Sequence, residues 1–476
     1  AGAGGGPGPR GRGTAPLDST GRPGDSSTGA DDDSSGDTGE PTECVDEAFV
    51  ETFDAEAIPQ DDAVFPYAIM AGEMRTTSAL LAVQVPAMPP AEAIWLRVWR
   101  PGADEGTVSV VVEAEVELDA DGYAKIPVEG LCPGTWYRYA YFVGSPARAT
   151  ARSPIAELRT APEDDVLEPL SVAITACNGS SLDWPALLRT ADEYYDVFIH
   201  LGDMVYADGS FSRQEYRQVW RQYLAAPGYR TALSRSGMYA TWDDHEIDDN
   251  SNFDRETMSA DQLLKRQNAM DAFFETLPIE AEGPDYQLWR TFRWGLTAEI
   301  IVLDCRYERR PSIDQYISPA QMDFLKQRLL DSPCHFKIVV NSVPITNMPT
   351  LWDIAAGDRW EGYPGQRNEL LSFIDDNLIT NVWFLSGDFH TCFVSRIEPA
   401  GGLTSNTYEI AVTGGNSNPL PDFATGFDLP QFDYGTTDPR GCLLLFDPES
   451  NAVNIRFLDP ETGEALFDET ISQAGG

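Results

Sequence analysis

Between about residues 65 and 162 apolar and polar positions alternate with a period of two. In Val108 to Leu118 the set Val108, Val110, Val112, Ala114, Val116 and Leu118 alternates with a face carrying Glu113, Glu115 and Glu117, which predicts a half-buried antiparallel strand. Ile94 to Trp99 alternates in the same way, and the run Gly130-Leu-Cys-Pro-Gly-Thr-Trp-Tyr-Arg-Tyr places a turn before a tyrosine-bearing strand, as at the corner of a sandwich. Residues 65–162 therefore read as a small β-sandwich, closed by the polar linker Arg159-Thr-Ala-Pro-Glu-Asp-Asp. After Leu170 the pattern changes to short apolar runs separated by helical stretches. Asp183 with Pro185 opens one helix, and Ser318-Pro-Ala-Gln321 reads as a capping box ahead of Met322, Leu325 and Leu329 on one face. Alternating units of this kind predict a layered α/β domain.

Composition sets the limits of this reading. Residues 1–43 hold twelve glycines and eight acidic residues but no aromatic one, so they cannot offset their own ordering entropy and read as a disordered linker used as a surface tether. The whole chain of 476 residues carries 33 basic and 76 acidic side chains, a formal charge of −43. A nucleic-acid polymer is excluded as a partner, because any basic patch would lie in a repulsive field. No apolar run approaches the ~20 residues that span a bilayer. A first residue that is not Met and seven cysteines are read as an exported protein in an oxidising compartment, periplasmic, extracellular or tethered at the cell surface.

The chemistry gathers at the ends of the apolar runs. Val172-Ala-Ile-Thr leads into Cys177-Asn178, Val197-Phe-Ile-His-Leu into Gly202-Asp203-Met-Val-Tyr206, and Met238-Tyr-Ala-Thr-Trp into Asp243-Asp244-His245-Glu246. Ile300-Ile-Val-Leu leads into Asp304-Cys-Arg306, Lys337-Ile-Val-Val into Asn341-Ser342, and Val382-Trp-Phe-Leu into Ser386-Gly-Asp388-Phe-His390. Ligands of α/β sheets bind beyond the carboxyl ends of strands, so six strand ends point to one shared site. His200, inside its apolar run, reads as a core residue, whereas His245 and His390 stand next to or near aspartates in strand-end loops. A thiol, a phenol, carboxylates and imidazoles gathered in one place need a cation, since unpaired buried anions cost several kcal/mol each.

These segments resemble the alkaline phosphatase D (PhoD-type) family of the calcineurin-like metallophosphoesterase superfamily over about residues 60–470. The matching residues are Ala176-Cys-Asn, His200-Leu-Gly-Asp-Met-Val-Tyr206, Thr241-Trp-Asp-Asp-His-Glu246, Leu303-Asp-Cys-Arg306, Trp360-Glu-Gly-Tyr363 and Gly387-Asp-Phe-His390. The resemblance implies an amino-terminal immunoglobulin or fibronectin type III-like sandwich followed, over 168–470, by a four-layer α/β/β/α metallophosphoesterase domain. It implies ferric iron held by Cys177, Asp203, Tyr206 and His390, with Asp203 bridging to calcium held by Asp244, Asn341 and Asp388. The donor types agree, because thiolate, phenolate and imidazole suit a transition metal and oxygen donors suit a hard cation. A divalent-only site without iron is the alternative. With Cys177 a ligand, Cys44, Cys132, Cys305, Cys334, Cys392 and Cys442 remain as potential disulfide partners.

The expected reaction is hydrolysis of a small phosphate mono- or diester by in-line attack of an activated hydroxide. His245 is the expected general acid, and Asn178 and Arg306 are candidates to hold the phosphate. Arg309 and Arg310 read as solvated, Asp243, Glu246, Asp248 and Asp249 as supporting or capping residues, and Trp360 and Tyr363 as cleft or core. Two other readings are a phospholipase D-like phosphodiesterase using the same site and an inactive surface protein that binds calcium or glycans.

Overall fold

The computed structural model describes residues 49–86, 92–179, 181–250, 254–281, 286–348, 356–418 and 427–473, all within the compact unit Cys44–Gly476. The linker read over 1–43 lies outside them. The described strands form three sheets. The first pairs Phe49–Thr52, Thr107–Val116, Ile94–Pro101, Trp136–Val143 and Ala151–Arg152 in that order, with Ala156–Arg159 also on Trp136–Val143. The second runs Ala465–Ile471, Ala452–Leu458, Gly441–Asp447, Leu170–Thr175, Val197–His200, Met238–Ala240, Met70–Gly72, Ser78–Gln84, Tyr123–Glu129. The third runs Arg290–Trp294, Ala298–Val302, Phe336–Val340, Val382–Ser386, Tyr408–Ala411, Cys392–Arg396, Phe432–Thr436. No helix among the described residues is long and apolar enough to cross a membrane.

Burial orders the layers. Val172 and Ile174 of the second sheet pack with Ile300, Val302, Ile338 and Val340 of the third in one core. Alternate residues of the second sheet, Ala173, Phe198 and Met238, face the opposite way onto Leu187, Trp220 and Phe273 of helices Pro185–Ala191, Arg213–Leu224 and Ala260–Thr276. On the far side of the third sheet, Ile301, Val339 and Phe384 pack against Leu325 and Leu370 of helices Pro319–Asp331 and Pro364–Asp376. The result is a helix, sheet, sheet, helix arrangement in which both central sheets are covered on both faces.

Two features of the amino-terminal half differ from the period-two reading. A β-bulge breaks the pairing of Ile94–Pro101 with Thr107–Val116, since Val98 pairs with Val112 but Trp99 with Val110. Val111 is the extra residue, and a one-residue slip exchanges the two faces of a strand. Val112, Val116 and Leu118 consequently join the main core, while Val108 and Val110 turn to a separate cluster with Trp99 and Phe142. The second departure is that Met70–Gly72, Ser78–Gln84 and Tyr123–Glu129 continue the central sheet. They join it beside Met238–Ala240 through the parallel pair Met238 and Gly72. Gly72 is required there, because a Cβ would lie 2.4 Å from the Pro278 carbonyl oxygen.

Helix starts follow local chemistry only in part. Ser318 caps Pro319–Asp331 by accepting from the Gln321 amide at 3.1 Å. The Gln321 side chain does not complete the box; its Nε2 donates to the Asp304 carbonyl at 3.1 Å and its Oε1 accepts from the Asp304 amide at 2.8 Å. Helix Pro185–Ala191 begins after Trp184, without a side-chain cap. Cys177, Cys305, Cys334, Cys392 and Cys442 are buried free thiols, so four of the six cysteines considered for bridges are unbridged. Cys44 lies outside the described residues.

Candidate metal centre

Strands Leu170–Thr175, Val197–His200 and Met238–Ala240 run parallel, as do Ala298–Val302, Phe336–Val340 and Val382–Ser386. Their carboxyl ends therefore lie along common sheet edges, and the loops that follow are tied to one another. The Cys177 amide donates to the Gly202 carbonyl at 3.2 Å and the Asn178 amide to the Asp203 carbonyl at 3.0 Å. The Gly387 amide donates to the Ser342 carbonyl at 2.9 Å. Cys177, Asp203, Asp388 and His390 all adopt left-handed backbone, with φ of 54°, 54°, 62° and 50°. Such conformations cost of order 1–3 kcal/mol each and persist where surrounding structure enforces them, most often at functional sites. Gly202, at φ 109°, lets its loop pass Asp243, whose Cβ would lie 2.7 Å from an added methyl group.

Three overlapping groups of side chains result, with ligand atoms in each within 4.8 Å of one another: Cys177, Asp203 and His390; Asp203, Asp244 and His245; and Asp243, Asp244 and Asp388. Asp203 belongs to two of them. Tyr206 sits at the first group, its hydroxyl donating to Asp203 Oδ2 at 3.3 Å and lying 3.1 Å from His390 Nε2. Cys177, Asp203 and Asp244 are almost wholly buried and Asp388 is partly buried; Asp244 Oδ1 has no hydrogen-bond partner and lies 3.5 Å from Arg306 Nη2. Burial, followed by the charges of Asp203, Asp388 and Asp243, pushes the Cys177 thiol well above its usual value. Burial and then the neighbouring carboxylates do the same to Asp203 and Asp388, and burial holds Asp244 up at about 6. Burial also lowers His390, to about 4. A neutral imidazole beside acids that resist ionising is the donor set a cation would complete, with protons released as it binds.

Arg306 is wholly buried and fixes the carboxylates from behind. Its Nε and Nη2 donate to the two oxygens of Asp243 at 2.6 and 2.9 Å, its Nη2 to Asp388 at 2.7 Å, and its Nη1 to Asp358. Burial alone would raise Asp243; the Arg306 charge and hydrogen bonds outweigh it and hold Asp243 below the usual carboxylate value. Asp304 meets Arg306 only through the backbone amide, at 3.0 Å. Arg309, read as solvated, is buried and donates to Asp358 at 2.7 Å. Asp358 was invisible as a partner because it lies some fifty residues downstream; its one sequence signal is its place just before Trp360-Glu-Gly-Tyr363.

The remaining candidates are placed as follows. Asn341 is buried, but its Oδ1 accepts from Trp360 Nε1 at 3.1 Å and Cys305 Sγ at 2.9 Å, and its Nδ2 donates to the Val343 carbonyl. To reach a cation this oxygen has to release one of those donors. Asn178 Oδ1 lies 2.9 Å from His200 Nε2, whereas its Nδ2 is buried without a partner. His200 is a core residue, also 3.0 Å from the Tyr229 hydroxyl. His245 is held at Nδ1 by both oxygens of Asp208 at 2.9 Å and stacks on Tyr206 at 4.0 Å. Burial lowers His245, but the Asp208 hydrogen bond and the charges of Asp244, Asp208 and Asp243 raise it further, to about 9. Glu246 accepts the amides of Asp203, Met204 and Asp243 and so clamps two of the loops together. Asp248 pairs with Lys265.

A sequence model of the family described as PhoD-like phosphatase matches residues 172–428, more than half of the chain and a span within which the ten candidate site residues fall. The chain is similar to alkaline phosphatase D of Bacillus subtilis (strain 168), with 26% identity over 318 residues, 57% of this chain and 54% of that protein. The match spans about half of that relative's length. Among solved structures it resembles one of PhoD, with a TM-score of 0.72 and 20% identity over 86% of this chain and 89% of that one. It also resembles a purple acid phosphatase from yellow lupin (Lupinus luteus) seeds, with a TM-score of 0.59 and 14% identity over 86% and 75% of the two chains. At these identities the structural likeness bears on the fold.

Proposed function

Because this chain belongs to the PhoD-like phosphatase family, we propose that it is a metal-dependent phosphoric ester hydrolase acting on small phosphate mono- or diesters. The observation that carries this reading is Asp203, a buried carboxylate shared between a Cys177–His390 group with Tyr206 beside it and a second group containing Asp244. In this reading Cys177, Asp203, Tyr206 and His390 hold ferric iron, and Asp203, Asp244, Asp388 and Asn341 hold calcium. When bound, the cations supply Lewis acidity and offset the negative charge of the phosphoryl group. The sulfur, phenol and imidazole donors support iron, and the oxygen donors support calcium.

The chain's own residues do the positioning and proton work. Asp208 fixes the His245 ring through Nδ1, leaving Nε2 as the atom that gives a proton to the departing alkoxide. The elevated pKa of His245 keeps that proton in place near neutral pH. Asn178, with an unpartnered buried Nδ2, is the proposed neutral donor to the phosphate. Arg306 is assigned to holding Asp243, Asp388 and Asp358 in place, since its donors are spent on them.

The same reading places the protein outside the cytoplasm, with residues 65–162 as its sandwich, 168–470 as its catalytic part and Cys132 as the bridged cysteine. Elemental analysis of the purified protein with a visible spectrum tests the metals. Iron and calcium together with a tyrosinate-to-iron charge-transfer band support the assignment; a colourless, iron-free and active protein overturns it in favour of divalent ions alone.

A further inference from the structure

His200 closes strand Val197–His200 inside the core, and three polar groups meet its ring. The parallel register sets it beside Thr175, so the loop that carries Asn178 starts from its neighbour in the sheet. The Gly202 amide donates to Nδ1 at 3.3 Å, which assigns the lone pair to that nitrogen. Burial lowers His200 to about 3. The ring is therefore neutral near neutral pH, with its single proton on Nε2. Nε2 lies 2.9 Å from Asn178 Oδ1 and 3.0 Å from the hydroxyl of Tyr229, on helix Pro227–Ala232. That hydroxyl gives its own proton to the Met204 carbonyl at 2.7 Å, so its oxygen also accepts, and two acceptors share the Nε2 proton.

The consequence falls on the Asn178 amide. Reversed, it would press its NH2 group against a ring nitrogen that already carries a proton, two donors with no acceptor between them. As it stands, Oδ1 is taken by the ring, with Thr175 Oγ1 also donating toward it at 3.5 Å, and Nδ2 is the buried atom without a partner. Asn178 and His200 are both wholly buried, so water does not stand in for either contact. We infer, on the reading of Asn178 as the neutral donor to the phosphate, that His200 is a positioning residue whose Nε2–H locks the amide with its NH2 group turned away from the ring, as a donor for a phosphoryl oxygen. An amide free to turn would also present Oδ1, an acceptor that offers a phosphate oxygen nothing. The apolar run around His200 conceals this task, because the partners Asn178 and Tyr229 lie 22 and 29 residues away.

Neutron diffraction from crystals of the intact, metal-loaded protein tests the proposal, because it places exchangeable hydrogens as deuterium. Deuterium is expected on His200 Nε2 and absent from Nδ1, with both amide deuterons of Asn178 turned away from the ring. Deuterium on Nδ1, or amide deuterons facing Nε2, would overturn the proposal. Calorimetric titration with inorganic phosphate across a double-mutant cycle reads what the contact does. Asn178→Ala should weaken phosphate binding about tenfold, the loss of one hydrogen bond to a charged group. His200→Phe should weaken it by a smaller factor, and the double variant no further than Asn178→Ala alone, whereas damage to core packing would add to it. His200→Gln supplies an amide N–H in place of Nε2–H and should recover part of the affinity, which separates loss of the donor from misfolding. Additive losses, or phosphate binding untouched by Asn178→Ala, would also overturn the proposal. Failure of the hydrolase reading would appear differently, as absent turnover of phosphate esters with the deuterium positions and the non-additive losses preserved.

Discussion

At the scale of single residues, His245 and Arg306 carry the sharpest consequences. A proton delivered from His245 matters for an alkoxide and hardly for nitrophenolate. His245→Ala should therefore slow hydrolysis of an alkyl phosphate by about 10²-fold or more and of p-nitrophenyl phosphate far less; equal losses on both substrates would remove the acid role. Asp208→Asn takes away the partner that helps hold His245 at about 9. The group is active when protonated, so its contribution is lost as pH rises through its pKa, and the variant should move the alkaline limb of the alkyl-ester profile to lower pH. An unmoved limb would detach Asp208 from the reaction. Arg306→Met leaves Asp243, Asp388 and Asp358 without their shared cation, and breaking a buried pair of this kind costs about 3–5 kcal/mol. Chemical denaturation should record that loss, and a wild-type midpoint would contradict the assignment. Asp208 and Asp358 were not legible in the sequence because Asp208 lies 37 residues from His245, and Asp358 lies 52 from Arg306 and 49 from Arg309, beyond the reach of local pattern.

At the scale of elements, the site depends on loops forced into left-handed turns at strand ends. Gly202→Ala should push the loop off Asp243 and impose a strained backbone, a loss of order 1–3 kcal/mol. Metal content should fall together with the melting temperature, and a variant with full metal content and unchanged stability would show that the loop tolerates a side chain. The six strand ends were legible because each apolar run stops at polar residues unsuited to a core, a local property. The face assignment of Val108 and Val110 was not, because the bulge at Val111 depends on pairing with Val98 and Trp99. For the same reason the continuity of Met70–Gly72 with the central sheet escaped a reading of one segment at a time; it rests on contact with Met238. Gln321 was half legible: its backbone amide donates to the expected Ser318 cap, while its side chain serves Asp304 instead.

At the scale of the molecule, the formal charge of −43 acquires a division of labour. Most of the excess is compatible with a solvated surface, but the buried Asp203 and Asp244 and the partly buried Asp388 belong to the clustered groups, where desolvation and neighbouring carboxylates resist their ionisation. Cations bound to the folded state alone stabilise it by mass action. Their removal should lower the melting temperature as well as activity. The central claim, that this buried cluster works as a metal centre for phosphate-ester hydrolysis, is tested most directly by the rate of p-nitrophenyl phosphate hydrolysis before chelation, after it, and after restoring iron and calcium. The rate should vanish on chelation and return with the metals, in proportion to occupancy. Undiminished hydrolysis by metal-free protein, or no hydrolysis by fully loaded protein, would contradict the claim.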